Sequence, residues 1–353
     1  MLKATFKKHT LIFKQASGTS RGILRTKDAY LILLESTENP GLVAVGECGL
    51  LRGLSIDDVP NYEEKLAKVC KDINNYDYWL DEGLREFPSI HFGLEMALLD
   101  LKTDTTKILF PSEFTNNEKS ILINGLIWMG EKQFMFDQIK AKLAEGWSCI
   151  KLKIGAIDFE AEMELLKYIR SQFSKADIEL RVDANGAFSP DNALEKLNRL
   201  AEMDLHSIEQ PIKPKQWENM AKLCEKTPLP IALDEELIGI FDIAEKRKMM
   251  ETIKPQYLIF KPSFIGGFKG TQEWIDLCQE FQTPWWITSA LESNIGLNAI
   301  AQWTATLNNH LPQGLGTGQL YTNNLDSPLA VDGGFLSYGN GEEWDLSLLG
   351  IKK

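Results

Sequence analysis

The 353-residue chain has little of several features that define large classes of protein. No apolar run reaches the roughly 18 residues that a membrane span needs, and the first residues lack the apolar core and cleavage site of a signal peptide. Lysine and arginine number 38 against 50 aspartates and glutamates, giving a net charge of −12. This balance argues against a nucleic-acid or anionic-membrane surface. We therefore expect a cytoplasmic protein with no nucleic-acid partner and no membrane partner, and no feature specifies an oligomeric state.

Cysteine and histidine are also scarce, with five and four copies. The cysteines form no Cys-x-x-Cys pair and leave an odd one over, as expected of reduced thiols in a cytosolic protein. Cys48 follows Gly46-Glu47 in a predicted loop, where its thiol could be exposed. Because no histidine lies nearby in the sequence to lower the pKa of that thiol, the sequence argues against a cysteine nucleophile.

The first 117 residues mix strand-like and helical patterns. The apolar segment from Tyr30 to Glu35 is typical of a strand, and the turn signal Glu38-Asn39-Pro40-Gly41 follows it directly. Helical patterns run from Asn61 to Tyr76 and from Gly93 to Leu101. We predict an α+β domain over residues 1–117, within the usual size range of domains.

The rest of the chain alternates regularly between short apolar segments and amphipathic segments of helix length. The predicted strands are Ile121–Gly125, Cys149–Lys153, Ile178–Asp183, Ser207–Glu209, Ile231–Asp234, Leu258–Lys261, Trp285–Ser289 and Gly314–Gly316. This alternation is typical of a parallel sheet covered on both faces, and eight repeats over about 200 residues match a barrel. A doubly wound open sheet is the alternative, but no G-x-G-x-x-G follows the first strand.

No complete helical repeat follows the last predicted strand. The prediction is therefore an α/β protein with a (β/α)7β TIM-like barrel over residues 118–320. The α+β capping domain would be built from the N-terminus and from the tail, residues 321–353, which is expected to return to it.

Polar side chains recur where the predicted strands end. They are Lys151 and Lys153 on the second strand, Asp183 and Asn185 on the third, Glu209 on the fourth, Asp234 and Glu235 on the fifth, and Lys261 on the sixth. Each interval is long enough for one strand, one helix and two loops. Because the carboxyl ends of barrel strands share one face, where active sites lie, these side chains are expected together. A single aspartate at a strand end is usually a helix cap or an ion-pair partner, but five consecutive strand ends favour a shared site.

Three carboxylates in one place repel one another unless a cation neutralises them. Oxygen ligands suit Mg²⁺ first and Mn²⁺ second, whereas zinc would favour histidine or cysteine. Asp183, Glu209 and Asp234 are therefore the predicted metal ligands. Lys153 and Lys261 flank them, and a nearby divalent cation would lower a lysine pKa toward the range useful for a general base.

With these residues in view, the chain resembles the enolase superfamily, in its muconate-lactonising branch. The resemblance covers nearly the whole chain, from the capping domain to the K-x-K motif Lys151-Leu152-Lys153, the three carboxylates and Lys261. It implies a Mg²⁺-dependent enzyme that takes a proton beside a carboxylate and passes through an ene-diolate.

Within the branch, four segments are similar to members that dehydrate 2-succinyl-6-hydroxy-2,4-cyclohexadiene-1-carboxylate in menaquinone biosynthesis. These segments are Ile123–Ile127, Phe260–Gly267, Thr288–Gly296 and Gly314–Gly318. Mandelate-racemase-like members carry a histidine at the end of the seventh strand, and none of the four histidines lies there. Dipeptide epimerases carry D-x-D on the eighth strand to bind a substrate amine, and this chain has Gly-Thr-Gly instead. The resemblance therefore implies a small-molecule carboxylate substrate without an amine.

The resemblance also implies roles for individual residues. Lys153 and Lys261 would be the catalytic pair, with Lys151 supporting Lys153 or a substrate oxygen. Further supporting or substrate-binding candidates are Asn185, Glu235, Ser289, Arg21 and Arg52. Two glycine-rich segments, Ala16–Gly22 and Gly46–Leu54, are expected to close over the barrel, where Arg21 or Arg52 would meet the succinyl carboxylate.

Two alternatives stay open. One is a racemase or cycloisomerase of the same branch, such as an N-acylamino acid racemase or a muconate cycloisomerase. The other is a non-catalytic metal-binding barrel, which would keep the carboxylates but would not need Lys153 and Lys261.

Overall fold

The computed structural model describes residues 1–19, 22–339 and 341–351. Its N-terminal part is an antiparallel sheet whose strands are β1 (Leu2–Thr19), β2 (Gly22–Ser36) and β3 (Val43–Cys48). The helices that follow are α1 (Tyr62–Lys71), α2 (Tyr76–Tyr78) and α3 (Pro88–Lys102). Apolar side chains of β2, α1 and α3, including Ile32, Leu66 and Leu94, form the core between sheet and helices.

All five cysteines are buried, including Cys48. The expectation that Cys48 could be exposed was wrong because β3 continues through this residue and packs against α3. A Cβ atom added to Gly93 of α3 would lie 2.5 Å from Cys48 Sγ, so this glycine allows the close approach.

Seven parallel strands follow one another in sheet order within the described ranges. After the short strand β4 (Ile121–Leu122) they are β5 (Gly125–Ile127), β6 (Cys149–Lys153), β7 (Glu179–Asp183), β8 (Ser207–Glu209), β9 (Ile231–Leu233), β10 (Tyr257–Phe260) and β11 (Trp285–Ile287). The helices between and after them are α4 (Lys132–Ala144), α5 (Phe159–Gln172), α6 (Pro190–Ala201), α7 (Trp217–Lys226), α8 (Ile243–Ile253), α9 (Pro262–Ile265), α10 (Gly267–Phe281) and α11 (Asn294–Thr306).

Gln313 and Gly314 close the barrel by bridging Ile123 on one side and Thr288 on the other. The predicted fold class, a (β/α)7β barrel beside an α+β capping domain, is confirmed. The eighth strand is shorter than predicted because the chain enters a 3-10 turn at Gly316–Leu320.

One continuous apolar core joins the barrel to the inner face of the capping domain. It contains barrel residues such as Ile150 and Leu258 together with Leu31, Val45 and Phe92 of the capping domain. Because the two parts share this core, the capping domain is held at a fixed position over the barrel.

The tail contacts both parts of the molecule. Strands β12 (Leu329–Asp332) and β13 (Phe335–Tyr338) form a hairpin that pairs with β4. Tyr321 bridges Phe13 of β1, and Lys7 Nζ donates to Leu349 O at 2.5 Å. None of the helices in the described part of the chain combines the length and apolarity that a membrane crossing demands.

Candidate active site

Three predicted site residues lie on neighbouring strands in matched register. Lys153 of β6 stands opposite Asp183 of β7, and Asp183 stands opposite Glu209 of β8. Asp234 directly follows β9 and Lys261 directly follows β10. Because parallel barrel strands end on one face, all five side chains converge at the carboxyl end of the barrel.

The lysines of β6 are paired with carboxylates. Lys153 Nζ donates to Asp183 Oδ2 at 2.7 Å and to Asn185 Oδ1 at 2.9 Å. Lys151 Nζ lies 3.1 Å from the same Asp183 oxygen and also donates to Glu209 Oε2. Lys151 therefore bridges two predicted metal ligands.

Lys261 occupies the other side of the site, where its Nζ donates to Asp234 Oδ2. Counting around the barrel, β6 is the second strand and β10 is the sixth, so the two strands face each other across the interior. A substrate between them would have Lys153 on one face and Lys261 on the other.

The carboxylates form a compact group that suits a cation. Glu209, Asp234 and Glu235 are buried and present oxygens within 4.8 Å of one another. Glu209 Oε1 has no hydrogen-bond partner among the residues that the structure describes. Glu235, expected only as support, belongs to this group, whereas the predicted ligand Asp183 does not, and Asn185 Nδ2 donates to Glu235 Oε1 at 2.9 Å. Oxygen-only donors of this kind fit a hard divalent cation.

Burial and charge shift the protonation of these groups. Burial alone would raise the pKa of Asp183, but the ammonium groups of Lys151 and Lys153 hold that pKa well below its usual range. Burial and the Asp183 carboxylate raise the pKa of Glu209 to about 8. Burial would lower the pKa of Lys261, but nearby carboxylates, Asp234 first among them, raise it instead. Negative potential therefore dominates around Glu209, and a bound cation would relieve it.

A cavity of about 720 Å³ lies over the lysines. The capping domain contributes Lys14–Ser17, Gly22–Leu24 and Leu51–Leu54 to its lining. Ser289 and Thr317 line the barrel side, and their hydroxyl oxygens are 2.6 Å apart. The mixture of apolar walls and a few polar groups suits a small molecule with a ring and anionic ends.

Arg21 and Arg52 were predicted to contact such an anionic end, and the cavity lining adds a third cationic side chain, Lys14. Arg52 lines the cavity, but its guanidinium donates to Asp58 Oδ1 at 2.5 Å and to Tyr30 Oη at 3.1 Å. Arg21 lies outside the described residues. Lys14 was missed by the sequence reasoning, although it lines the cavity and has no carboxylate partner in the described ranges.

Lys14 reaches the cavity because β1 bulges. Ile12 pairs with Thr26 and Ser17 pairs with Leu24, so four residues of β1 stand against one residue of β2. A bulge of this kind redirects side chains, and no strand periodicity would have indicated it.

The fold and the residues at the carboxyl ends of its strands define a (β/α) barrel with a cluster of carboxylates between two lysines. Residues 135–346 match the family model of the enolase C-terminal domain-like family. The chain therefore belongs to the enolase superfamily.

Individual relatives show which members of the superfamily this chain is similar to. An o-succinylbenzoate synthase of Desulfotalea psychrophila is 48% identical, and the match covers 95% of this chain and 98% of the relative. The crystal structure of MenC from that organism has a TM-score of 0.81 at 46% identity and covers 95% of this chain and 99% of its own. An N-succinylamino acid racemase of an Amycolatopsis species is 27% identical over 70% of this chain and 66% of the relative.

Proposed function

We propose that the protein is an o-succinylbenzoate synthase, a carbon–oxygen lyase acting in menaquinone biosynthesis in the cytoplasm. It dehydrates 2-succinyl-6-hydroxy-2,4-cyclohexadiene-1-carboxylate to o-succinylbenzoate. The observation that carries this function is the pair Lys153 and Lys261, facing each other across one cavity beside the carboxylate cluster. The 48% identity to an o-succinylbenzoate synthase over 95% of the chain supports the choice of substrate.

Asp183, Glu209 and Asp234 are the proposed ligands of Mg²⁺, with Mn²⁺ as a substitute. Glu235 lies in the same cluster as Glu209 and Asp234, and Asn185 orients it. When bound, the cation supplies positive charge to the substrate carboxylate as negative charge develops there. Asp183 would then share its charge between the cation and Lys153, whose Nζ lies 2.7 Å from Asp183 Oδ2.

Neutral Lys153 then takes the proton beside the ring carboxylate, and the C–H electron pair moves into the carboxylate to give an ene-diolate. As that pair returns to the ring, the C–O bond to the hydroxyl breaks. The Lys153 ammonium returns its proton to the leaving hydroxyl, so the only other product is water. One base serves both steps, which requires proton and hydroxyl to leave from the same face.

Lys261 stays protonated on the opposite face of the ring. Its ammonium group stabilises the anionic intermediate through charge and through contact with the ring face. Lys151, bridged between Asp183 and Glu209, holds these two ligands in place and lines the cavity floor.

The succinyl carboxylate needs a partner at the far end of the cavity. Lys14 is proposed for this contact because the other described cations of the lining are already paired with carboxylates. Ser289, whose hydroxyl lies beside that of Thr317, would accept or donate a further hydrogen bond. Arg21 stays a prediction, and Arg52 would have to leave Asp58 to take part.

A racemase is the second candidate, because a base on each face of the substrate is also what 1,1-proton transfer needs. No carboxylate occurs on the eighth strand before Asp326, which argues against a dipeptide epimerase but not against an N-succinylamino acid racemase, whose substrate has no free amine. The test is to supply the cyclohexadiene substrate with Mg²⁺, with an EDTA control, and to follow the ultraviolet absorbance of the aromatic product. Loss of optical rotation from an N-succinylamino acid, with no aromatic product from the cyclohexadiene, would favour the racemase.

A further inference from the structure

A carboxylate of the capping domain is inserted at the first turn of a barrel helix. Glu47, at the end of β3, is fully buried. Its carboxylate accepts hydrogen bonds from Ser293 N at 2.9 Å, Ser293 Oγ at 2.5 Å and Gly296 N at 3.0 Å. These groups belong to the start of α11, whose free N–H groups and dipole favour a negative charge.

Two further charges are buried beside Glu47. Lys27 Nζ of β2 lies 3.6 Å from Glu47 Oε1 and has no hydrogen-bond partner within the described ranges. Glu292 is fully buried and accepts from Ser263 Oγ at 2.5 Å and from Ala290 N at 2.6 Å. Burial and the Glu47 carboxylate raise the pKa of Glu292, while Lys27 opposes that shift. The three side chains are therefore one electrostatic unit.

This unit touches the proposed site at two places. Ser263, the partner of Glu292, is two residues beyond Lys261 in the turn of α9. Ala290 lines the cavity, and the next residue, Leu291, has a φ of 63° and a carbonyl that accepts from Tyr321 Oη at 2.7 Å. The same carboxylates therefore hold the segment that carries Lys261 and the loop that forms the cavity wall.

The loop that follows β3 in the capping domain packs directly against Ser263 and Glu292. A Cβ atom added to Gly49 would lie 2.2 Å from Ser263 Oγ and 2.9 Å from Glu292 Oε1. Two residues further on, the segment from Leu51 to Leu54 lines the cavity. The base of this loop therefore packs closely against the barrel, whereas its tip lines the cavity.

We infer that Lys27, Glu47 and Glu292 form a cross-domain lock that positions Lys261 and the loop 288–293 for the reaction. They are positioning residues, since none of them lines the cavity. The inference rests on the proposed role of Lys261. Burying ionic groups between two surfaces costs desolvation free energy that apolar contacts would not. Buried ionic groups can, however, fix a single register between those surfaces.

The alternative is that these charges only hold the two domains together. The chain offers a matched control at the other end of α11. Asp100 is also a fully buried capping-domain carboxylate, which accepts from Val45 N at 2.8 Å and pairs with Lys107 Nζ at 2.7 Å. The backbone carbonyl of Lys107 accepts from Gln302 Nε2 of α11 at 2.7 Å, so this pair also supports the domain interface but contacts neither Lys261 nor the cavity.

The test compares Glu47→Gln with Asp100→Asn in the full-length protein with Mg²⁺. Both variants remove one buried charge, so both should lower the melting temperature. Only Glu47→Gln should lower kcat, by about tenfold, because a small misplacement of a reacting group costs that much or more. Its KM should change by less than about threefold, since the groups that bind substrate are retained. Ser263→Ala should lower kcat in the same direction by a smaller factor.

The lock is overturned if Glu47→Gln keeps kcat within about twofold of the parent, or if Asp100→Asn lowers kcat equally. If Glu47→Gln does not fold, Ser263→Ala decides, and an unchanged kcat in that variant overturns the inference. Lys261→Ala is measured in parallel. An active Lys261→Ala enzyme would contradict the proposed function, whereas an inactive one together with an unaffected Glu47→Gln enzyme would contradict the lock alone.

Discussion

The two ends of the barrel differ in how their buried charges are paired, and strand β7 contributes a charged residue to each end. Arg181 and Asp183 lie two residues apart on this strand, so their side chains point to the same face. At the amino end, Arg181 Nε donates to Glu179 Oε1 at 2.7 Å and Nη1 donates to Pro312 O at 2.9 Å. Its guanidinium also stacks on Trp286 at 4.1 Å. The charge is paired with the Glu179 carboxylate, whose Oε1 also lies 2.7 Å from Nη2, although Nη2 itself makes no hydrogen bond within the described residues.

At the carboxyl end, charge is gathered around a cavity. Lys151, Lys153 and Lys261 line it and pair with Glu209, Asp183 and Asp234, and Glu209 Oε1 has no hydrogen-bond partner in the part of the chain that the structure describes. A charge that is paired away from any cavity serves stability, whereas a carboxylate oxygen left without a partner among the lysines of a cavity is available to a ligand. This comparison predicts that substitutions at the carboxyl end change the reaction rate or ligand binding. Substitutions at the amino end should instead change the free energy of unfolding.

The largest expected effect is that of Lys153→Ala at the carboxyl end. Loss of the proposed base should lower kcat about 10³-fold, because a positioned general base contributes on that scale. Mg²⁺ binding, measured by calorimetry, should persist, since the carboxylates remain. Steady-state kinetics checks the rate. An enzyme that retains a tenth of the parental kcat would show that Lys153 is not the base.

The next largest effect is expected for Glu209→Gln. Loss of one carboxylate ligand should weaken Mg²⁺ binding at least about 100-fold, as even substitutions behind the ligands cost 10- to 100-fold. Dialysis of the parent enzyme against EDTA should remove activity, and added Mg²⁺ should restore it. Calorimetric titration of both proteins measures the difference, and equal affinities would place the cation elsewhere.

The carboxyl end was the most predictable region of the chain. Each strand of a parallel barrel ends on the same face, so residue type and position at strand ends were enough to bring together Lys153, Asp183, Glu209, Asp234 and Lys261. The register of β6, β7 and β8, which sets Lys153 opposite Asp183 and Asp183 opposite Glu209, was not predicted and is supplied by the structure.

Other features depended on contacts between distant segments. The burial of Cys48 follows from its packing on α3, and the tight cluster around Glu235 depends on how the chain turns after β9. The position of Lys14 results from a bulge, and the engagement of Arg52 follows from the geometry of its own loop with Asp58. Periodicity and composition carry no information on such pairings.

At the amino end, Arg181→Met should reduce the free energy of unfolding by about 2 kcal/mol, through lost hydrogen bonds and stacking. The loss is moderate because the Glu179 side chain is 28% exposed and can be solvated once its partner is removed. Denaturant unfolding measures this change, and kcat should stay within about twofold of the parent. A fall in kcat comparable to that of Lys153→Ala would break the distinction between the two ends.

The smallest effect is expected at the outer edge of the cavity, for Lys14→Gln. An exposed ion pair contributes little, so loss of the contact with the succinyl carboxylate should raise KM about fivefold and leave kcat nearly unchanged. Lys14→Glu should raise KM further because it repels the carboxylate, and added salt should reduce the difference between the variants. Lys3→Gln, on the same strand and also exposed but outside the cavity lining, is the matched control. If Lys14→Gln and Lys3→Gln have the same KM, the succinyl carboxylate is bound by another group, and Arg21 becomes the first side chain to substitute.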